Sequence, residues 1–151
     1  MAVDNIVLGT DGSEHSLHAL RTGFEILGPA AHVYIVTVVE PADPSLVSGT
    51  GFAGGVATPA EYDVVEKARK DDGQAIVERA RADLGIEHAE TRLLEGDAGP
   101  ALCAFAAEIS AGAIVMGSRG RGGIKRALLG SVSDHVVRNA PCPVVITGPA
   151  D

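Results

Sequence analysis

The chain has no tryptophan, two tyrosines and three phenylalanines, so aromatic residues make up only 3% of its 151 positions. A core without them must be built from Val, Ile, Leu and Ala, which favours buried strands packed under helices. The same scarcity removes the stacking platforms on which single-stranded nucleic acid rests. There are only two cysteines, Cys103 and Cys142. Far apart in sequence and without CxxC spacing, they read as small buried hydrophobes rather than a redox pair or a disulfide. No apolar run reaches the ~18 residues of a membrane span, and the N-terminus, with its acid at Asp4, does not suit a signal peptide. A cytoplasmic protein without a membrane partner is expected. Several motifs are also missing: there is no GxxxxGK[ST] phosphate loop, no GxGxxG after the first strand, no HExxH and no GxSxG. Their absence argues against a P-loop enzyme, a standard dinucleotide binder, a zinc protease and a Ser-His-Asp hydrolase.

Charge is one-sided. The formal net charge is −8, whereas a nucleic-acid partner would demand a basic face. The distribution is more informative than the sum. No acid lies between Glu108 and Asp134, yet Arg119, Arg121, Lys125 and Arg126 supply four of the twelve basic residues. One stretch is locally cationic in an acidic protein.

A chain of this length fits one domain, residues 1–151. Asn5 to Gly9 is a short apolar run ending at a turn, and Ser13 and Glu14 offer an N-cap and a first-turn acid. Leu17, Leu20, Phe24 and Leu27 then repeat at helical spacing until Gly28-Pro29 stops them. His32 to Val39 is a β-branched strand. The segment 40–59 is rich in proline and glycine without periodicity and reads as a flexible flap. Glu61 to Leu84 is helical, interrupted by Gly73 and ended by Gly85. Ile86 to Leu94 is a polar strand suited to a sheet edge. Asp97 caps a helix whose buried face is Leu102, Phe105, Ala106 and Ile109. Ala113–Met116 is a strand, Ser131 to Asn139 a short helix, and Pro143–Thr147 a last strand. Strands and helices alternate, so the spacing predicts an α/β fold with a parallel sheet covered on both sides. Ligands of such sheets bind beyond the carboxyl ends of the strands, at the topological switch point.

Met116-Gly117-Ser118-Arg119-Gly120, nine further residues, and Gly130-Ser131 connect an apolar strand to a helix. Glycines let backbone N–H groups approach a phosphate without an intervening Cβ, and a helix N-terminus adds free donors and a positive dipole end. Ser131 and Ser133 add hydroxyls there, and the four basic residues add mobile charge for a di- or triphosphate. Glycine-rich segments are often plain turns, but strand, spaced glycines, cations and a Ser-led helix coincide here and point to anion binding. The lone histidines, and the pair His15 and His18, have no accompanying ligand cluster and read as structural or solvated. Asp11 has two readings: a turn or capping residue, or an acid beside the ligand that also supports magnesium.

These residues resemble the universal stress proteins, in the branch that binds ATP. The carriers are the G-x2-G-x9-G-[ST] signature at Gly117, Gly120, Gly130 and Ser131, the segment from Val7 to Ser13, and Ala140 to Val145. The resemblance spans nearly the whole chain. It implies a Rossmann-like fold of the adenine nucleotide alpha-hydrolase-like kind, a five-stranded parallel sheet sandwiched by four helices. It implies that Gly9, Thr10 and Asp11 flank the adenosine, that the backbone of Val38 reads the adenine edge, and that Met116 lines the base pocket. Gly117, Arg119 and Gly120 would meet ribose and phosphates, and Gly130, Ser131, Val132 and Ser133 would cradle the phosphate chain. ATP with Mg2+ is the implied cofactor, and a homodimer paired through the last strands is the implied assembly. No general base stands out near the phosphates and no catalytic or metal-ligating residue is assigned. The expected function is a nucleotide-dependent regulatory protein of the stress response. The alternatives are a slow ATPase or phosphotransferase using Asp11 or a serine near Ser131, or preference for another adenine nucleotide such as cyclic AMP.

Overall fold

The structure, a computed structural model, describes residues 3–41, 58–118 and 129–148. Five strands alternate with four helices: β1 Val3–Gly9, α1 Glu14–Leu27, β2 Ala30–Val39, α2 Pro59–Leu84, β3 Glu90–Glu95, α3 Ala98–Glu108, β4 Ala113–Gly117, α4 Ser131–Asn139 and β5 Val144–Thr147. The strands form one parallel sheet in the order β3-β2-β1-β4-β5. The chain winds outward from β1 through β2 to β3, then returns to lay β4 on the other side of β1. The switch point therefore lies between the ends of β1 and β4.

Alternation along the central strands divides the core into two layers. Ile6, Leu8, Val33, Ile35 and Val115 meet Leu17 and Leu20 of α1 and Val77 and Ala80 of α2. Val7, Val36, Ile114 and Met116 face Leu102, Phe105 and Ala106 of α3 and Val136 of α4. Each sheet face thus carries two helices, the expected α/β architecture. The helix signals read from sequence hold in most places. Ser13 accepts the Ser16 N–H and caps α1. Helix α2 begins two residues earlier than expected, because Thr58 and Glu61 form a reciprocal capping box with Pro59 in the first turn. Ion pairs join α2 to its neighbours through Arg79–Glu14 and, at 3.1 Å, Lys70–Glu95. All four side chains are more than half exposed, so these pairs contribute little stability.

Two readings need correction. Strand β3 covers only Glu90–Glu95, not Ile86 to Leu94. Ile86 and Ala89 instead turn inward and fill the bottom of the α1/α2 layer. Asp97 occupies the N-cap of α3, but its carboxylate makes no capping hydrogen bond. The reading of Cys103 and Cys142 as small hydrophobes holds: both are free and pack half-buried against the α3/α4 layer. The segment 40–59 read as a flap lies almost wholly outside the described residues.

Close helix-to-sheet approach is set at Gly23 in α1. A Cβ there would stand 2.3 Å from Cγ1 of Val115, a stiff β-branched residue in the middle of the sheet. Alanine would gain roughly 1 kcal/mol of helix propensity but incur about 1–3 kcal/mol of overpacking. We expect Gly23→Ala to lower the thermal midpoint, and Gly23→Ala/Val115→Ala to be less destabilised than the two single effects added together. A strictly additive double-mutant cycle would refute the contact.

Candidate functional site

The loop after β1 is fixed by its own polar groups. Thr10 donates its N–H to the Val36 carbonyl at 2.9 Å, continuing the sheet by one bond. Its hydroxyl oxygen accepts the Gly12 N–H at 3.0 Å and the buried Ser16 hydroxyl at 2.8 Å. Gly12 has φ +84°, the left-handed region that favours glycine. Asp11 accepts the Ser13 N–H on Oδ1 at 2.9 Å. Its other oxygen, Oδ2, is buried and has no hydrogen-bond partner among the described residues. A buried carboxylate oxygen without a donor is costly. This loop therefore holds a rigid acceptor with capacity to spare.

Val38 lies on the neighbouring strand. The last β1–β2 partners are Gly9 and Val36, and the Val36 carbonyl points toward β1 because it takes the Thr10 N–H. Successive backbone groups alternate sides. The N–H and C=O of Val38 therefore face the same way, two residues beyond the last β1 partner, where one donor and one acceptor lie at the mouth of the sheet. Gly9 closes β1 under α3, and a Cβ there would be 3.4 Å from Leu102 Cδ2. Met116 lies at the end of β4 on the α3/α4 side, 7% exposed.

Beyond β4 the chain is anchored at Ser118. Its N–H goes to the Thr147 carbonyl at 3.0 Å, and its carbonyl accepts the Gly130 N–H at 2.6 Å. The same carbonyl accepts the Ser133 hydroxyl at 2.8 Å. The start and end of the glycine-spaced loop are thereby drawn together. Arg119, Gly120 and the other basic residues lie outside the described residues. Gly130 is the N-cap of α4 with φ −75° and supplies no side-chain cap. The first N–H groups of α4, those of Ser131, Val132 and Ser133, precede the first intrahelical bond, Asp134 N–H to Gly130 O at 2.9 Å. Helix starts of this kind present donors and a positive dipole end to an anion. The Ser131 side chain is exposed and Ser133 is buried.

The structure thus brings Gly9, Thr10, Asp11 and Val38 to one end of the sheet, together with Met116, Gly117, Gly130, Ser131, Val132 and Ser133. Ser133 requires a correction at its side chain. Its single hydroxyl proton points to the Ser118 and Gly130 carbonyls, at 2.8 and 3.1 Å, and is not a free donor. The sequence reading also missed Ser118, whose role is played by backbone atoms that leave no side-chain signal. A second buried oxygen without a partner among the described residues, Thr147 Oγ1, lies at the same end of the sheet, where Thr147 pairs with Gly117. No group of three or more His, Cys, Asp or Glu side chains able to hold a metal occurs among the described residues.

Ser133→Ala removes a buried donor from two carbonyls, so we expect a loss of about 1–2 kcal/mol, or roughly 3–6 °C in the thermal midpoint. Ser131→Ala should leave stability within about 0.5 kcal/mol. Paired urea melts of the two variants check the contrast, and equal effects would refute the assignment.

Comparison with known proteins places this arrangement. Residues 2–148 match the model of the universal stress protein family. A universal stress protein of Methanocaldococcus jannaschii is 33% identical over 147 residues, covering 93% of this chain and 79% of the relative. Among solved structures, hypothetical protein MJ0577 superposes with a TM-score of 0.76 at 17% identity, over 100% of this chain and 99% of that one. A universal stress protein solved in complex with cAMP superposes with a TM-score of 0.62 at 26% identity, over 99% and 100% of the two chains. Sequence match, strand order and the glycine-spaced connection agree, and the chain belongs to the universal stress protein family.

Proposed function

We propose that this chain is a nucleotide-dependent regulatory protein that binds ATP at the ends of β1, β2 and β4. The observation that carries the reading is the buried Asp11 Oδ2 at the switch point, without a hydrogen-bond partner among the described residues, in a site whose other wall is the start of α4, without a side-chain cap among those residues. The two features are complementary. A nucleoside offers N–H and O–H donors to the carboxylate and the Val38 carbonyl, while its phosphates offer oxygens to the α4 amides. The relative solved with cAMP supports an adenine nucleotide as the ligand class.

The donor set fits this group. Asp11 and the Val38 backbone would hold the nucleoside, and Gly117, Gly130, Ser131 and Val132 would hold phosphates through backbone amides, with Arg119 and Gly120 on the intervening segment. Magnesium would arrive on the phosphate oxygens, as this ion commonly does. The bound nucleotide supplies a polyanion that ties the β1 loop to α4. Ligand binding to the folded state alone stabilises it, so nucleotide level would be read out as the stability of this end of the molecule.

The proposed assembly is a dimer through β5. Carbonyls of Pro143 and Thr147 bond to β4, so by alternation the N–H and C=O of Val144 and Ile146 point outward along an open edge. The edge is short and apolar. Such edges tend to be covered.

The decisive experiment combines mass analysis of small molecules released from the purified protein with thermal melts in magnesium and ATP. Nucleotide at a hundredfold its dissociation constant should add about 2.7 kcal/mol, or roughly 5–10 °C. Gly130→Asp should abolish the shift yet remain folded, because an N-cap aspartate satisfies the same α4 amides that phosphate would use. Asp11→Asn should weaken binding roughly 10- to 100-fold through loss of a charged acceptor. A larger shift with cyclic AMP than with ATP would reassign the ligand, and no shift with either would refute the site. For assembly, Ile146→Pro removes an outward N–H without touching the β4 ladder. It should convert a two-chain species to a single chain in sedimentation equilibrium, and a native protein that already sediments as one chain would refute the dimer.

A further inference from the structure

The fold sets both cysteines against the same apolar layer. Helices α3 and α4 lie on the same sheet face, and each runs back against the strand direction, so they run parallel to one another. Their register is fixed where the His135 ring lies against Gly99, whose added Cβ would be 2.8 Å from the ring. One turn further along, α3 presents Cys103 and α4 reaches Asn139. The chain then leaves α4, and Cys142 precedes Pro143, whose carbonyl takes the Ile114 N–H at 3.0 Å at the start of β4. The second half of α3 lies at that same end of the sheet, because the Ala111 N–H returns to the Ala106 carbonyl at 2.8 Å just ahead of β4. Both cysteines pack against the same apolar layer, and both are half-buried.

We propose that Cys103 and Cys142 form a second site in this chain, a dithiol that a hydroperoxide converts reversibly to an intrachain disulfide. One thiolate attacks a peroxide oxygen, the O–O bond breaks, and a sulfenic acid forms with release of water after protonation. The second thiolate attacks that sulfur, the S–OH bond breaks, and a second water leaves. In balance, two thiols and one H2O2 give one disulfide and two waters, with the two electrons going from sulfur to peroxide oxygen. A dithiol reductant reverses the step by thiol exchange. The ring that closes runs from Cys103 to Cys142 and contains β4, the glycine-spaced connection and α4. It fastens the segment carrying the α4 N-terminus back onto α3, at the end opposite the nucleotide mouth.

The electrostatics of the pair agree with this placement. Burial raises both thiols above their ordinary range, and Cys142 is raised further by repulsion from Cys103. Elevated thiols are poor nucleophiles at neutral pH. The reaction is therefore slow near neutrality and quickens as pH rises through the thiol range. Among the described residues no third ligating side chain joins the pair to make a metal set.

The test uses the whole reduced protein, treated with hydrogen peroxide and then alkylated and digested with trypsin. Cleavage after Arg92, Arg119 and Arg138 isolates the two cysteines in fragments 93–119 and 139–151. The proposal expects these fragments joined by a bond that dithiothreitol cleaves, in a single chain lighter by two hydrogens. It also expects formation to be faster at pH 9 than at pH 7. The oxidised protein should melt several degrees above the reduced one, because the ring constrains the unfolded chain. Cys103→Ser and Cys142→Ser proteins should show neither the joined fragments nor the shift. Two thiols still fully alkylated after peroxide at pH 9 would overturn the proposal, as would separate oxidation of each to a sulfinic acid or bonding only between chains. The reading stands apart from nucleotide binding, since no residue of the mouth takes part.

Discussion

One backbone oxygen governs the functional end of this molecule. The Ser118 carbonyl takes both the Gly130 amide and the Ser133 hydroxyl, so the end of β4 and the start of α4 are held together across the segment between them. Both bonds are sheltered from water, with Ser118 8% and Ser133 2% exposed. In that setting a lost partner costs more than an average hydrogen bond contributes. The consequence is orientation. Helix α4 starts beside the ends of β1 and β4, with the amides of Ser131, Val132 and Ser133 ahead of its first intrahelical bond, and the fixed turn around Thr10 and Gly12 sets Asp11 on the same rim.

The proposed binding of a polyanion by an acidic protein poses an electrostatic problem that is resolved by range. A formal charge of −8 repels a distant anion, but at physiological ionic strength that field decays over ~8 Å. Backbone amides at a helix start act within hydrogen-bonding distance, where screening is slight. The local donors therefore decide the outcome at the rim, and Arg119, Arg121, Lys125 and Arg126 would act over the intermediate range. The absence of acids between Glu108 and Asp134 is the sequence counterpart of this arrangement.

How much could be read from the sequence depended on whether a feature was local. Helix α1 was legible because Ser13, the Leu17–Leu20 stripe and Gly28 are independent signals that agree. The glycine signature carried the family for the same reason. Where reading failed, tertiary structure had overridden a local pattern. Ile86 and Ala89 look like strand residues, but they are buried by turning under α1 and α2 before the strand begins. Ser133 looks like a phosphate donor from its place in the signature, yet its proton is used within the protein. Asp97 has the right residue type and position for a cap, but its side chain forms no capping bond. The neighbourhood of Cys103 and Cys142 has no local signal at all. It follows from two parallel helices packed on one sheet face, which becomes visible only when the strand order is known.

The two edges of the sheet show how the same fold treats open backbone differently. Strand β3 carries Glu90, Arg92 and Glu95, all exposed, and the Arg92 guanidinium lies 6.0 Å from the centre of the Tyr34 ring. Charges placed along an edge in this way discourage another strand from adding to it. Strand β5 has only Val144, Val145, Ile146 and Thr147, without a charge and with none of the four fully buried. A sheet that blunts one edge and leaves the other apolar has a preferred side for association, and the proposed dimer uses that side. Its cost in specificity is low because β5 is four residues long: too short to template extended aggregation, yet long enough for two copies to pair around a twofold axis. Thr147, the last residue of β5, also lies beside the Gly117 and Ser118 anchors, so the strand proposed for assembly ends at the rim proposed for the nucleotide.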